Sequence, residues 1–250
     1  MPRIGIIGSG FGAIAVAAEF LRHGYRDIRL WERADALGGV WRDNTYPGAA
    51  CDVPSPFYSF SWAPSASWNR RYAEQPEILR YLRGVADREG VTPRTRLGVS
   101  VVAAQWTGAA WTVTLDTGET DEVDILVPAV GQLSNPVVPD IPGADSFGGP
   151  AFHTARWPMD LDLASSRVAV IGAAATAVQV VPKLAVTARQ VTLFQRTPSY
   201  IWPKPDAVYP SWYRRFAARA ERPFFRALGE LFSRQLNPGS PAGHPHHRAG

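Results

Sequence analysis

The chain has 250 residues, 46% apolar and 19% charged, with a net charge of +4. That is enough for one large or two modest hydrophobic cores, and no apolar run is long enough for stable membrane insertion. The single cysteine, Cys51, excludes an internal disulfide and any reaction needing two redox-active thiols, and it suits a reducing cytoplasm.

The first informative segment runs from Arg3 to Glu32. Ile4, Ile6 and Ile7 read as a short buried strand, broken at Gly8-Ser9-Gly10-Phe11-Gly12-Ala13. An alanine-rich helix follows over Ala13–Leu21, then a turn at His23-Gly24, then a second strand, Ile28–Trp31. The glycines, and the absence of a small-residue cleavage site, mark a domain start rather than a secretory leader. In a dinucleotide-binding unit Gly8 makes the tight turn and Gly10 admits backbone amides to a pyrophosphate. Ala13 is then the small residue where helix meets strand, and Glu32 is placed to accept from a ribose diol.

Next in order, Gln75–Glu89 has helical spacing, with Pro76 in its first turn and Ile78, Leu79, Leu82, Val85 and Ala86 on one side. Apolar runs between Val99 and Val130, with turns at Thr107-Gly108 and Asp116-Thr117-Gly118, predict an antiparallel meander that rejoins the main sheet at Ile125-Leu126-Val127. A Pro- and Gly-rich connector follows, from Asn135-Pro136 to Gly148-Gly149-Pro150.

The opening pattern then repeats: strand Val168–Ile171, turn Gly172-Ala173-Ala174-Ala175-Thr176-Ala177, helix Val178–Leu184, strand Val191–Phe194. Gly172 lies 164 residues after Gly8, and the same offset carries Glu32 onto Arg196. A glutamate repels a 2′-phosphate, so the first unit suits FAD. Arg196, with Thr197 beside it, can pair with that phosphate, so the second suits NADP. Ala174 stands where the second glycine belongs, and Pro182 is expected to kink the helix. The fold class expected is α/β, two Rossmann-like units of three layers, with a partial helical segment at the C-terminus. That segment is a broken helix over Ser211–Leu236 interrupted at Pro223. Its arginines Arg214, Arg215, Arg219, Arg222 and Arg226 read as a solvated face, and with no recognition motif beside them no nucleic acid is expected. Residues 237–250, rich in Pro, Gly and His, read as a disordered tail in which His244, His246 and His247 form no metal site. The domains expected are residues 1–135, a linker at 136–158, and 159–236.

Three stretches together resemble Baeyer–Villiger monooxygenases. The connector carries Phe147-x-Gly149-x-x-x-His153-x-x-x-Trp157-Pro158, and the loop after the first unit carries Gly38-Gly39-x-Trp41-x-x-x-x-Tyr46-Pro47-Gly48-x-x-x-Asp52. The two nucleotide turns supply the third, in the family's order. The resemblance covers Arg3 to about Pro203. It implies an NADPH- and FAD-dependent monooxygenase that inserts one atom of dioxygen beside a ketone carbonyl to give an ester or lactone. It adds Gly39, Trp41 and Thr176 to the cofactor-binding set. By the same resemblance Asp52 lies near the flavin and orients an active-site arginine, and His153 couples the two units. Family members are about twice this long, and the arginine belongs to the half this sequence lacks. The chain is then a fragment, a product of a shifted reading frame, or the partner of a second polypeptide that completes it, and is not expected to oxygenate ketones at a useful rate alone. The other readings are an N- or S-oxygenating flavin monooxygenase, and a non-catalytic or uncoupled FAD/NADP-binding protein.

Overall fold

In a computed structural model, residues 1–65 and 67–214 are described. They divide into two compact units, one of Met1–Asp52 with Ala73–Pro205, the other of Val53–Tyr72 with the residues from Asp206 on. Both nucleotide turns belong to the first.

Strand β1 (Ile4–Ile7) leads through the first glycine turn into α1 (Phe11–Arg22) and then β2 (Ile28–Glu32). A short helix α2 (Val40–Asp43) and the amphipathic α3 (Gln75–Arg88) precede β3 (Thr95–Leu97). The three-stranded meander is β4 (Val101–Trp106), β5 (Trp111–Leu115) and β6 (Thr120–Val123), after which β7 (Ile125–Pro128) returns to the main sheet. That sheet has the order β3-β2-β1-β7 and is parallel throughout, with Ile4 opposite both Ile28 and Ile125. The second repeat is β8 (Arg167–Ile171), α4 (Ala175–Thr187) and β9 (Gln190–Phe194), forming a separate two-stranded parallel sheet.

The core follows from the apolar periodicity. Ile4, Ile6 and Leu30 from the sheet, Ala13, Ile14, Ala17 and Ala18 from α1, and Ile78, Leu82, Val85 and Ala86 from α3 are buried. Alanines on α1 let the helix approach the sheet closely, as the strand–turn–helix unit requires. The meander closes its own cluster, in which Val99, Val113, Leu115 and Val123 surround Trp31. Trp31 also lies over Gly5, where an added Cβ would stand 2.7 Å from its ring.

The helices of the two glycine turns prove longer than the sequence pattern suggested, while α3 ends at Arg88, one residue short of it. α1 starts at Phe11 rather than Ala13, and α4 runs on through Pro182 to Thr187 as one helix. Pro182 forfeits one hydrogen bond, and burial of Ala177, Val180 and Leu184 on the inner face offsets that loss. Of the segment read as a broken helix only Ser211–Arg214 is described, and it is helical; the rest, with the tail, lies outside the described residues. Among the described residues no helix is long and apolar enough to cross a membrane, and no His, Cys, Asp and Glu group together as a metal site.

Candidate functional site

The two glycine turns have the same backbone geometry. Gly8 and Gly172 sit at φ +108° and +110°, where L side chains are strained. Each donates its N–H to the strand that follows, Gly8 to the carbonyl of Trp31 at 2.8 Å and Gly172 to that of Phe194 at 2.9 Å. The first helical bonds also match, Ile14 N–H to Gly10 and Val178 N–H to Ala174. Gly10 (φ −82°, ψ −166°) and Ala174 (φ −77°, ψ −176°) are alike, so Ala174 departs from glycine only by its methyl group. In both turns the helix presents its unpaired N–H groups where a pyrophosphate is held in dinucleotide-binding units.

Gly8 has a further constraint. Its Cβ would come 2.5 Å from the carbonyl oxygen of Ala129, because β7 closes over the turn. The Gly38-Gly39 turn folds onto the same place. Gly38 N–H donates to the Ser9 carbonyl at 3.2 Å, and a Cβ on Gly39 would stand 2.9 Å from Gly10 Cα. The glycines Gly8, Gly10 and Gly39 thus line one cradle, with Ala13 buried behind it. Trp41 is tied to α3, its carbonyl accepting from the Gln75 side chain.

Glu32 is buried at the end of β2 and already well satisfied. Its Oε2 accepts from Ser9 Oγ at 2.6 Å, and its Oε1 accepts from Ala34 N–H at 3.0 Å. Arg42 Nη1 also reaches Oε1 at 3.0 Å; the two side chains are 13% and 6% exposed. Arg42 further donates to the Ala36 carbonyl at 2.7 Å and grips Asp43 through Nε and Nη2 at 2.7 and 3.0 Å. Burial alone would lower the pKa of this guanidinium, yet its bonds to Asp43 and the pull of Glu32 hold it above the ordinary arginine value.

The second turn differs at its ribose side, and the equivalence drawn from the 164-residue offset needs correction. Ile7 pairs with Trp31, and its counterpart Ile171 pairs with Phe194. The residue after the strand partner is therefore Glu32 in the first unit and Gln195, not Arg196, in the second. The segment from α4 into β9 is one residue shorter than its counterpart, so the offset holds through the turn but not through the second strand. Arg196 and Thr197 are the next two residues and are exposed. No carboxylate stands at the Glu32 position in this unit. Ser199 Oγ donates to the Ala173 carbonyl at 2.6 Å, the bond that Gly38 N–H makes to Ser9 in the first turn.

A side-chain clasp joins α4 to the loop that carries Tyr46. Tyr46 Oη donates to Gln179 Oε1 at 2.8 Å, Gln179 Nε2 donates to the Ala50 carbonyl at 2.8 Å, and Ala50 N–H donates to Gln179 Oε1 at 3.4 Å. Thr176, one turn earlier on the helix, also bonds the phenol. Burial pushes the Tyr46 pKa up and Asp52 adds to this, while Thr176 opposes it. Gly48 belongs to the same contact, since a Cβ there would lie 2.8 Å from the Gln179 carbonyl.

Asp52 is exposed two residues beyond this clasp, and among the described residues none hydrogen-bonds its carboxylate. His153 caps the short helical turn Thr154–Arg156, its Nδ1 accepting from Ala155 N–H at 3.1 Å. That turn packs against α2, which brings the connector next to the Gly39–Trp41 segment. Sequence reasoning did not single out Ser9, Arg42, Gln179 or Gln195. Thr176 and Gln179 lie three apart on α4 and so share one helix face.

The model of the family described as pyridine nucleotide-disulphide oxidoreductase matches residues 5–219. A Baeyer-Villiger monooxygenase of Streptomyces coelicolor is 45% identical over 228 residues, covering 90% of this chain and 42% of its own length. A phenazine N-monooxygenase of Lysobacter antibioticus is 38% identical over 204 residues, 79% of this chain and 38% of its own. A solved structure of OTEMO in complex with FAD and NADP superposes with a TM-score of 0.84 at 32% identity, covering 93% of this chain and 45% of that one. The chain spans less than half the length of the relatives it matches.

Proposed function

Because the chain belongs to the pyridine nucleotide-disulphide oxidoreductase family, and within it to the N-terminal part of Baeyer–Villiger monooxygenases, we propose that it holds FAD at its first glycine turn and NADPH at its second and serves ketone oxygenation. The observation that carries this reading is the duplicated turn with unlike ribose ends, buried Glu32 in one and Gln195-Arg196 in the other. The first cradle fits FAD. Gly8 and Gly39 occupy positions where a side chain would strike backbone, which leaves the N-terminus of α1 open to a pyrophosphate. With Cys51 as its single cysteine, these 250 residues hold no internal dithiol pair of the kind in the family's name.

Within this reading each residue has a physical task. Gly8 and Gly10 keep the turn clear of side chains, Ala13 seats the helix, and Glu32 accepts from the adenosine ribose. Gly39 and Trp41 hold the following loop against the cradle. Gly172 and Ala174 repeat the turn for NADPH. Thr176 steadies it through Tyr46, and Arg196 with Thr197 pairs with the 2′-phosphate. When bound, FAD supplies the redox chemistry, taking a hydride from NADPH and passing electrons to dioxygen. Asp52 offers an exposed carboxylate on the loop that follows the Tyr46 clasp, where it orients a cationic group, and His153 fixes the connector against α2. Exposed Ile171, Leu193 and Phe194 on the two-stranded sheet, 63%, 40% and 55% accessible, support a further polypeptide segment covering this part of the fold. The domain divisions near residues 135 and 158 and a cytoplasmic setting belong to the same proposal.

N-oxygenation is the second reading, favoured by the similarity to the phenazine N-monooxygenase. Aerobic NADPH oxidation by the chain with FAD, labelled dioxygen and either a cyclic ketone or an aromatic N-heterocycle separates the two. Labelled ester or lactone above a protein-free control supports the ketone reading, and N-oxide transfers it to nitrogen. Bound FAD without NADPH consumption leaves a nucleotide-binding protein without turnover.

A further inference from the structure

A carboxylate offers about four acceptor positions, and three of those on Glu32 are taken before any ligand arrives. Ser9 Oγ–H takes one on Oε2, and Ala34 N–H and Arg42 Nη1 take both on Oε1. The three donors come from three places, the glycine turn, the chain just after β2, and α2. Only Arg42 brings a charge, and it is itself fixed by Asp43 and the Ala36 carbonyl. Ser9 is 1% exposed and Glu32 5%, so neither group has room to rotate freely.

Resting on the FAD assignment above, we propose that Arg42 is a positioning residue of the cofactor site: with Ser9 it locks the Glu32 carboxylate so that a single acceptor position, on Oε2, is left for the adenosine ribose, and the site therefore reads one ribose hydroxyl rather than the diol. Arg42 touches no part of the nucleotide in this scheme. It acts by denying Oε1 to the ribose and by holding the plane of the carboxylate. The ion pair with Arg42 also offsets part of the cost of burying the Glu32 side chain.

The test uses the whole chain and three ligands, FAD and its analogues with 2′-deoxy- or 3′-deoxyadenosine, titrated by flavin fluorescence. One hydrogen bond to a charged group corresponds to about tenfold or more in affinity. In the wild-type chain one analogue binds about tenfold or more weakly than FAD, and the other binds within about threefold of it. Arg42→Ala lowers that selectivity to within about threefold, and Arg42→Lys, which restores the charge, recovers part of it. Glu32→Gln serves as the reference in which the charged acceptor is gone. Equal losses with both analogues, or none with either, overturn the single-hydroxyl reading. An Arg42→Ala chain that binds all three ligands more weakly but keeps the wild-type ratio shows a structural residue only. Failure of the wild-type chain to bind FAD at all counts instead against the FAD assignment. Circular dichroism of each variant guards the comparison, and Arg42→Gln, closer in size, stands in if the alanine variant does not fold.

Discussion

Tyr46 donates its phenolic hydrogen to Gln179 Oε1 at 2.8 Å, across 133 residues of sequence. The same glutamine pairs its carboxamide with both the N–H and the carbonyl of Ala50, so one side chain on α4 completes the hydrogen bonding of a loop belonging to the first nucleotide turn. The second nucleotide helix is thereby registered against the loop that carries Asp52.

Gln179→Ala removes three hydrogen bonds from this half-buried contact and should lower unfolding free energy by about 1–3 kcal/mol, with Tyr46→Phe costing about 0.5–1.5 kcal/mol. Because both act on one oxygen, the double variant should lose less than the sum. Urea denaturation of the four chains measures the coupling, and strict additivity would show that the two residues act independently.

The two leading glycines should respond differently to the same change. Gly8 and Gly172 share a positive φ, but only Gly8 meets backbone, the Ala129 carbonyl, where a Cβ would go; Gly172 has open space. Gly172→Ala should cost about 1–3 kcal/mol for backbone strain alone, and Gly8→Ala distinctly more. Equal losses of thermal stability would mean that β7 does not close over the first turn as described.

How far these contacts were legible in the sequence depends on their range. The strand–turn–helix units, the amphipathic α3 and the meander with its two turns follow from local periodicity and glycine placement, and the structure has them where the pattern does. Side-chain reach across the fold leaves no such trace. Nothing in one dimension says that Arg42 turns back to Glu32, or that Gln179 finds Ala50. The substitution of Gln195 for Arg196 at the position of Glu32 shows a different limit. A fixed offset assumes equal lengths between the paired elements, and one residue fewer before β9 moves the ribose-side position by one.

Selectivity for NADPH should depend on Arg196, and the corrected register adds Gln195. Arg196→Ala is expected to weaken NADPH binding about tenfold to a hundredfold while leaving NADH within about threefold, the loss of one charge-assisted phosphate contact. Gln195→Glu should weaken NADPH as well, by placing a carboxylate where the first unit has Glu32. Competition binding with both nucleotides checks this, and parallel loss of NADPH and NADH would remove the phosphate-reading role.

A surface ion pair sets one pH response. Arg3 donates from its side chain and its backbone N–H to Asp124, which holds that carboxyl down to about 2. A folded-state pKa below the unfolded value near 3.9 gives stability that is present above about pH 4 and fades as pH falls toward about 2. Asp124→Asn should therefore unfold at a lower temperature than wild type at pH 6, with the difference shrinking as pH falls through about 2. Both side chains are only about a third exposed, at 34% and 37%, but the pair lies at the surface, so the effect is small and weakens in high salt.

If FAD sits at the first turn and NADP at the second, the chain must hold both nucleotides at once. Calorimetric titration of FAD, and then of NADP⁺ into the FAD-saturated chain, measures this. One equivalent of each should bind without competition, with Gly10→Leu abolishing FAD binding alone and Arg196→Ala weakening NADP⁺ alone. Displacement of one nucleotide by the other, or unchanged FAD binding in Gly10→Leu, would mean that the two turns are not separate sites for FAD and NADP.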